Sequence, residues 1–117
     1  PVLTESAVQV LDGGHAVTPW VEKVATLASA QGATPFRSLL VEVQNVVVAA
    51  ENADEGKGDF GEVLLEGGLR VDDLLITWGT KIPRPAKSEK FKAIRGILTL
   101  SYGTFKLLPR SADDLMK

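Results

Sequence analysis

The stretch "SLLVEVQNVVVAAE" constrains the fold of this chain more than any other. From Leu39 to Ala49 it is dominated by leucine and valine. β-Branched residues suit a pleated, half-buried surface and lose side-chain freedom in a helix. Leu39, Val41, Val43 and Val47 share one side with Asn45, while Glu42 and Gln44 lie opposite, which is the two-residue period of a strand. At Val46-Val47-Val48 the alternation gives way to apolar residues on both sides. A strand covered on both faces at one end fits a small closed barrel.

The remaining segments follow the same logic. "VLTESAVQVL" reads as a strand that ends at Asp12-Gly13-Gly14, a strong turn signal. Trp20, Val21, Val24, Leu27 and Ala28 recur at three- and four-residue spacing, so residues 19–31 are expected to be helical. Thr18 is placed to cap that helix, Pro19 suits its first turn and Gly32 its end. "NADEGKGD" is a solvated turn. "FGEVLLEGGLRVDDLLIT" predicts two short strands around Gly67-Gly68. Pro83 and Pro85 forbid regular ladder pairing in "WGTKIPRPAKSEKF".

The last hairpin can be registered. With Gly103-Thr104 at the centre of a type II′ turn, Tyr102 faces Phe105, Leu100 faces Leu107 and Leu98 faces Pro109. These six then share one face, with Ser101, Lys106, Thr99 and Leu108 on the other. A one-residue slip would mix the two sets, so the register is expected to be well specified. Ser111 is a good cap for a following helical turn, and Asp113 and Asp114 favour its positive end. About six strands and one helix, with no alternating βαβ units, predict an antiparallel barrel or sandwich.

Composition removes several function classes. The chain has 117 residues, 44% apolar and 24% charged, which is the make-up of one globular domain. A net charge of −2 argues against a domain built wholesale around phosphate backbones. With no cysteine, disulfides, thiolate zinc sites and cysteine nucleophiles are excluded. The single histidine, His15, has no partner nucleophile and reads as a loop residue. No apolar run reaches the length of a membrane span. The opening "PVLTES", without Met, reads as the interior of a longer protein.

The segments "PFRSLLVEVQNVVV", "DFGEVLLEGGLRVDDLL" and "IRGILTLSYGTFKLLPRSADDL" together resemble the OB-fold-like module that accompanies bacterial secreted nucleases and related cell-surface proteins. The resemblance spans residues 36–115. "PFRS" stands where an aromatic-glycine element is usual, and "KIPRPAKSEKFK" is more basic than the pattern. The resemblance implies an OB-fold-like small antiparallel barrel with one short N-terminal helix. Residues 1–18 would lead in from a preceding module and residues 19–117 would form the barrel. It also implies a non-catalytic binding module of an extracellular or cell-envelope protein, with the nuclease chemistry in another domain. No catalytic residue, cofactor or metal is therefore expected.

The candidate nucleic-acid site is the basic segment Lys81, Arg84, Lys87, Lys90, Lys92 and Arg95, interleaved with Trp78 and Phe91. Cations meet phosphates and rings meet bases in single-strand binders. The same composition describes a solvated loop whose aromatics plug a barrel end. Tyr102 and Phe105 are either a stacking platform or the outer rung of the core, and the hairpin register favours the core. The pairs Asp72-Asp73 and Asp113-Asp114 each offer one ligand at most to a shared cation, because adjacent strand residues point to opposite faces. The expected partners are single-stranded nucleic acid and neighbouring domains of the same protein. The alternative is a protein- or glycan-interaction module that binds no nucleic acid.

Overall fold

The structure, a computed structural model, describes residues 18–117. The expected strand in residues 2–11, the Gly13-Gly14 turn and His15 lie outside the described residues. Among the described residues there are seven strands: β1 (Trp20–Val21), β2 (Leu40–Ala50), β3 (Glu62–Leu65), β4 (Arg70–Asp72), β5 (Lys90–Ser101), β6 (Thr104–Leu108) and β7 (Leu115–Met116). Five of them close a ring. β2 pairs with β3, β3 with β4, β4 with β6, β6 with β5, and β5 returns to β2. The β4–β6 pairing is parallel and the other four are antiparallel. This is a small OB-like barrel: strand count and patterning predict a barrel or sandwich, and the resemblance implies the OB-like form. β1 and β7 add short pairings to the outer parts of β2 and β5. Among the described residues no helix is long and apolar enough to cross a membrane.

The core is built from the inward rows. Val41, Val43, Val46 and Val48 of β2 meet Val63 and Leu65 of β3, Val71 of β4, Phe91, Ile94 and Leu98 of β5, and Phe105 and Leu107 of β6. The valines of β2 change parity at Asn45, whose φ of 54° is left-handed. Odd positions point inward before it and even positions after it. Val46 and Val48, not Val47, therefore continue the core row. The doubly apolar look of Val46-Val47-Val48 comes from this change of phase.

The helix is shorter and later than expected. Trp20 and Val21 pair in parallel with Val41 and Glu42, both with exposed side chains. Helical turns occupy α1 (Val24–Ala28) and α2 (Ala30–Ala33), separated at Ser29, which is extended. The Ser29 hydroxyl accepts from Gly32 N–H and so caps α2 in place of continuing α1. Thr18 and Pro19 precede the β1 pairing and start no helix. Leu27 and Ala33 are fully buried and belong to the barrel's core cluster. Val24 packs so close to the β3–β4 turn that a Cβ on Gly67 would sit 2.7 Å from its Cγ1.

The closing hairpin keeps its expected core residues with a different turn. Tyr102 and Gly103 occupy the centre, with φ of 51° and 77°, the signature of a type I′ turn. Leu100 therefore pairs with Phe105, Thr99 with Lys106 and Leu98 with Leu107. Leu98, Leu100, Phe105 and Leu107 still face inward, but Tyr102 leaves the core and is fully exposed. After Arg110 the chain makes a 3₁₀ turn at Ala112–Asp114 and enters β7. Ser111 makes no side-chain cap there.

Candidate ligand-binding site

The residues expected to form a nucleic-acid site are split between four environments. Trp78 is half-buried against the core, and its indole N–H donates to the Gly61 carbonyl at 2.8 Å. Arg84 donates to the Glu51 carbonyl at 2.8 Å, to Asp59 Oδ2 at 2.7 Å and to the Glu62 carbonyl at 3.2 Å. Both therefore hold the loop 51–61 onto the barrel. Phe91 is a core residue with 4% of its surface exposed. Arg95 faces Glu42 across the β2–β5 ladder at 2.5 Å. Lys81, Lys87, Lys90 and Lys92 remain exposed, and three of these, all but Lys87, line recesses beside Phe91 that also include Lys117.

A larger cleft, about 710 Å³, lies over the outer face of β3 and β4. It is bounded by loop 51–61, the turn after β4 and the β5–β6 turn. In OB barrels this face and the corresponding two loops take ligands. The residues that point outward here are Glu62 of β3, Arg70 and Asp72 of β4 and Lys106 of β6, brought side by side by the pairings Glu62↔Asp72 and Arg70↔Lys106. Lys106 Nζ lies 2.6 Å from Glu62 Oε2 and 3.8 Å from Asp72 Oδ2. Arg70 bridges Glu62 at 3.0 Å and Asp54 at 2.7 Å. Asp54 Oδ2 is buried without a hydrogen-bond partner. Burial, and then the neighbouring Glu62 charge, push the Asp72 carboxyl above its ordinary value.

Loop 51–61 is shaped by its own side chains. Asn52 Oδ1 accepts from Asp54 N–H at 2.9 Å, and its amide donates to the Gly58 carbonyl at 2.9 Å. Asp59 Oδ1 accepts from Gly61 N–H at 3.0 Å, and the Arg84 guanidinium holds the Asp59 carboxyl below its usual range. Gly61, at φ 78°, leaves no room for a side chain: a Cβ would lie 2.2 Å from Asp73 Oδ1. The loop thereby sets Phe60 at the cleft wall, 63% exposed. Tyr102, on the β5–β6 turn, also lines the cleft with its whole ring in solvent, and Leu74 adds an exposed aliphatic group.

The cleft thus joins two exposed aromatic rings to a floor of four carboxylates and two cations (Asp54, Glu62, Asp72, Asp73, Arg70 and Lys106). Apart from Tyr102, weighed as a stacking surface, and Asp72-Asp73, weighed as cation ligands, the sequence marks none of these residues for a ligand role. Asp72 and Asp73 both line the cleft, Asp72 facing Lys106 and Asp73, just past the end of β4, accepting from the Trp78 backbone N–H. Among the described residues no three His, Cys, Asp or Glu side chains are disposed to hold a metal ion. The fold is an OB-like barrel with a charged, aromatic-edged cleft over β3 and β4. Comparison of the chain with protein-family models, curated proteins and solved structures found no match.

Proposed function

We propose that this chain is a non-catalytic binding module of a larger secreted or envelope protein, and that it holds a glycan in the cleft over β3 and β4. The observation that carries this reading is the pair of exposed rings, Phe60 and Tyr102, set at the boundary of a charged, hydrogen-bonding floor. Sugar rings present apolar C–H faces that lie against aromatics. Their hydroxyls donate to carboxylates and accept from guanidinium and ammonium groups. The cations of the floor are already paired with carboxylates, so the floor offers oriented donors and acceptors. A phosphate backbone laid in this cleft would meet four carboxylates.

The envelope context rests on the resemblance. The segments that carry it supply the five barrel strands β2 to β6. The experiment is a titration of the ¹⁵N-labelled protein with a panel of neutral oligosaccharides, followed by NMR. Shifts concentrated at Phe60, Arg70, Tyr102 and Thr104, and lost in Tyr102→Ala, are the expected result. Shifts centred elsewhere, or none with any saccharide, would overturn the glycan reading. Hydrolysis of any substrate by the pure protein would overturn the non-catalytic one.

A further inference from the structure

The glycan cleft shares no residue with the surface around Phe91. Lys90 and Lys92 stand exposed on β5 on either side of the buried Phe91, and Lys117 Nζ lies 5.7 Å from the Phe91 ring centroid. With Asn45 of β2 these lysines line a recess of about 370 Å³. A second recess of about 200 Å³ shares Phe91 and Lys117 and adds Lys81 and Glu89. Glu89, paired with Lys117, is the one acid in either lining. Among the described residues Lys81, Lys90 and Lys92, like Lys23, Arg37, Lys57 and Lys87, have no carboxylate within ion-pair distance, whereas Arg70, Arg84, Arg95, Lys106 and Arg110 each have at least one. In a chain of net charge −2, four lysines against one acid in the two linings are a local segregation of positive charge.

Asn45 is an independent mark on the same recess. Its left-handed φ of 54° falls in the middle of an eleven-residue strand. Backbone outliers of this kind cost energy and cluster where a site needs them. The ladder is formed at Gln44↔Ala93 and Val46↔Phe91 and is interrupted between them, opposite Lys92. The exposed carboxamide of Asn45 therefore sits among the lysines as a neutral donor and acceptor.

We propose that Lys81, Lys90, Lys92 and Lys117, with Asn45, form a second binding site that takes the phosphodiester backbone of single-stranded nucleic acid. The ammonium groups neutralise phosphates and release counterions, and the Asn45 amide donates to a phosphate oxygen. The cations line two adjoining recesses that share Phe91 and Lys117 and form no stripe along which a duplex would lie. Because the Phe91 ring is buried, bases gain no stacking platform, and binding is indifferent to sequence.

The test is fluorescence anisotropy of the full 117-residue chain with labelled oligothymidylate across a salt series. A log–log salt slope of about −0.7 per neutralised phosphate is expected, hence about −2 to −3 for three or four contacts. The double variant Lys90→Ala/Lys92→Ala is expected to bind about tenfold more weakly and to lose about 1.4 from the slope. Asn45→Asp, which tolerates the left-handed backbone but adds a carboxylate, should also weaken binding. The control Lys23→Ala/Lys57→Ala should leave it unchanged, and circular dichroism checks folding throughout. Tyr102→Ala should leave oligothymidylate binding intact, so failure of the glycan reading is separable from failure of this one. Absence of binding at the lowest salt, or an affinity and slope unmoved by the Lys90/Lys92 variant, would overturn the proposal. So would capture of a sulfated polysaccharide by the same lysines without capture of oligothymidylate.

Discussion

Lys106 Nζ and Glu62 Oε2 lie 2.6 Å apart, and both side chains are almost wholly withdrawn from water. The parallel β4–β6 pairing puts Lys106 beside Arg70, and the β3–β4 pairing puts Arg70 and Asp72 beside Glu62. The barrel wall therefore carries a line of alternating charges where a simple barrel would carry solvated side chains. Removing one member of a buried pair leaves the other charge uncompensated, which costs about 3–5 kcal/mol. Lys106→Met is accordingly expected to lower unfolding free energy in urea by about 3 kcal/mol. Joint replacement of Glu62 by Leu and Lys106 by Met should recover most of that loss. A double variant no more stable than Lys106→Met would mean that Glu62 matters mainly through Arg70.

Asp72 gives the cleft a distinct pH signature. Burial and the nearby Glu62 charge raise its carboxyl above the ordinary aspartate value of 3.8, against the pull of Lys106. The folded state then holds the proton more tightly than the unfolded one. Its contribution to stability is fully present below pH 3.8 and is lost as pH rises through the raised folded value. Asp72→Asn should therefore gain stability relative to the native chain over that window and keep the gain at neutral pH. Denaturant titrations at several pH values measure the difference. A gap that shrinks with rising pH would contradict the assignment.

Asp114 behaves in the opposite sense. Burial alone would raise its carboxyl, but the Arg110 guanidinium and the Arg110 backbone N–H together hold it below 3.8. Its stabilisation is present above pH 3.8 and is lost as pH falls through the lowered folded value. Asp114→Asn should cost about 2 kcal/mol at neutral pH, typical of hydrogen bonds to a charged group. The variant should lose less stability than the native chain on acidification, which thermal melts between neutral and acid pH can read.

The barrel and its inward leucines were legible because alternation survives errors of pairing. Setting Tyr102 opposite Phe105 or Leu100 opposite Phe105 shifts the partners by two residues. A two-residue shift leaves Leu98, Leu100, Phe105 and Leu107 on the same face. The two arrangements differ in the fate of Tyr102, so the residue most relevant to the site was the one the pattern left free. The signal lay in Tyr102-Gly103, since two left-handed residues make a type I′ turn, but tyrosine is a poor indicator of that backbone. The phase change at Asn45 was hidden in the same way, as excess apolarity. The basic segment was legible as charge but not as contact. Arg84 and Trp78 found partners 22 and 17 residues away, at Glu62 and Gly61, which no local pattern reveals.

Gly96 tests the closure of the barrel. It lies in the middle of β5 without a left-handed φ, so its need for glycine is steric. A Cβ there would stand 2.6 Å from the Leu108 carbonyl carbon and oxygen and 2.9 Å from Pro109 N. Backbone cannot move aside as a side chain can, and overpacking of this kind costs about 1–3 kcal/mol. Gly96→Ala is expected to lower the urea midpoint accordingly, whereas Gly103→Asn, in open space at a left-handed position, should be nearly neutral. Equal stability of Gly96→Ala and the native chain would argue against so close an approach of β5 and β6.

Tyr102 sets stability against binding. Its ring is wholly exposed, so it gains nothing from burial, and its φ of 51° is disfavoured for a bulky L-residue by about 1 kcal/mol. Asparagine adopts the left-handed conformation more readily, and Asn-Gly is the preferred centre of a type I′ turn. Tyr102→Asn is therefore expected to raise unfolding free energy by about 0.5–1 kcal/mol while weakening glycan binding at the cleft about tenfold, for loss of one aromatic face. Parallel urea denaturation and saccharide titration measure the two effects on one variant. A variant that gains stability and keeps full affinity would leave the tyrosine without a ligand role. A variant that loses stability would mean that the ring packs against loop 51–61 more than its exposure indicates.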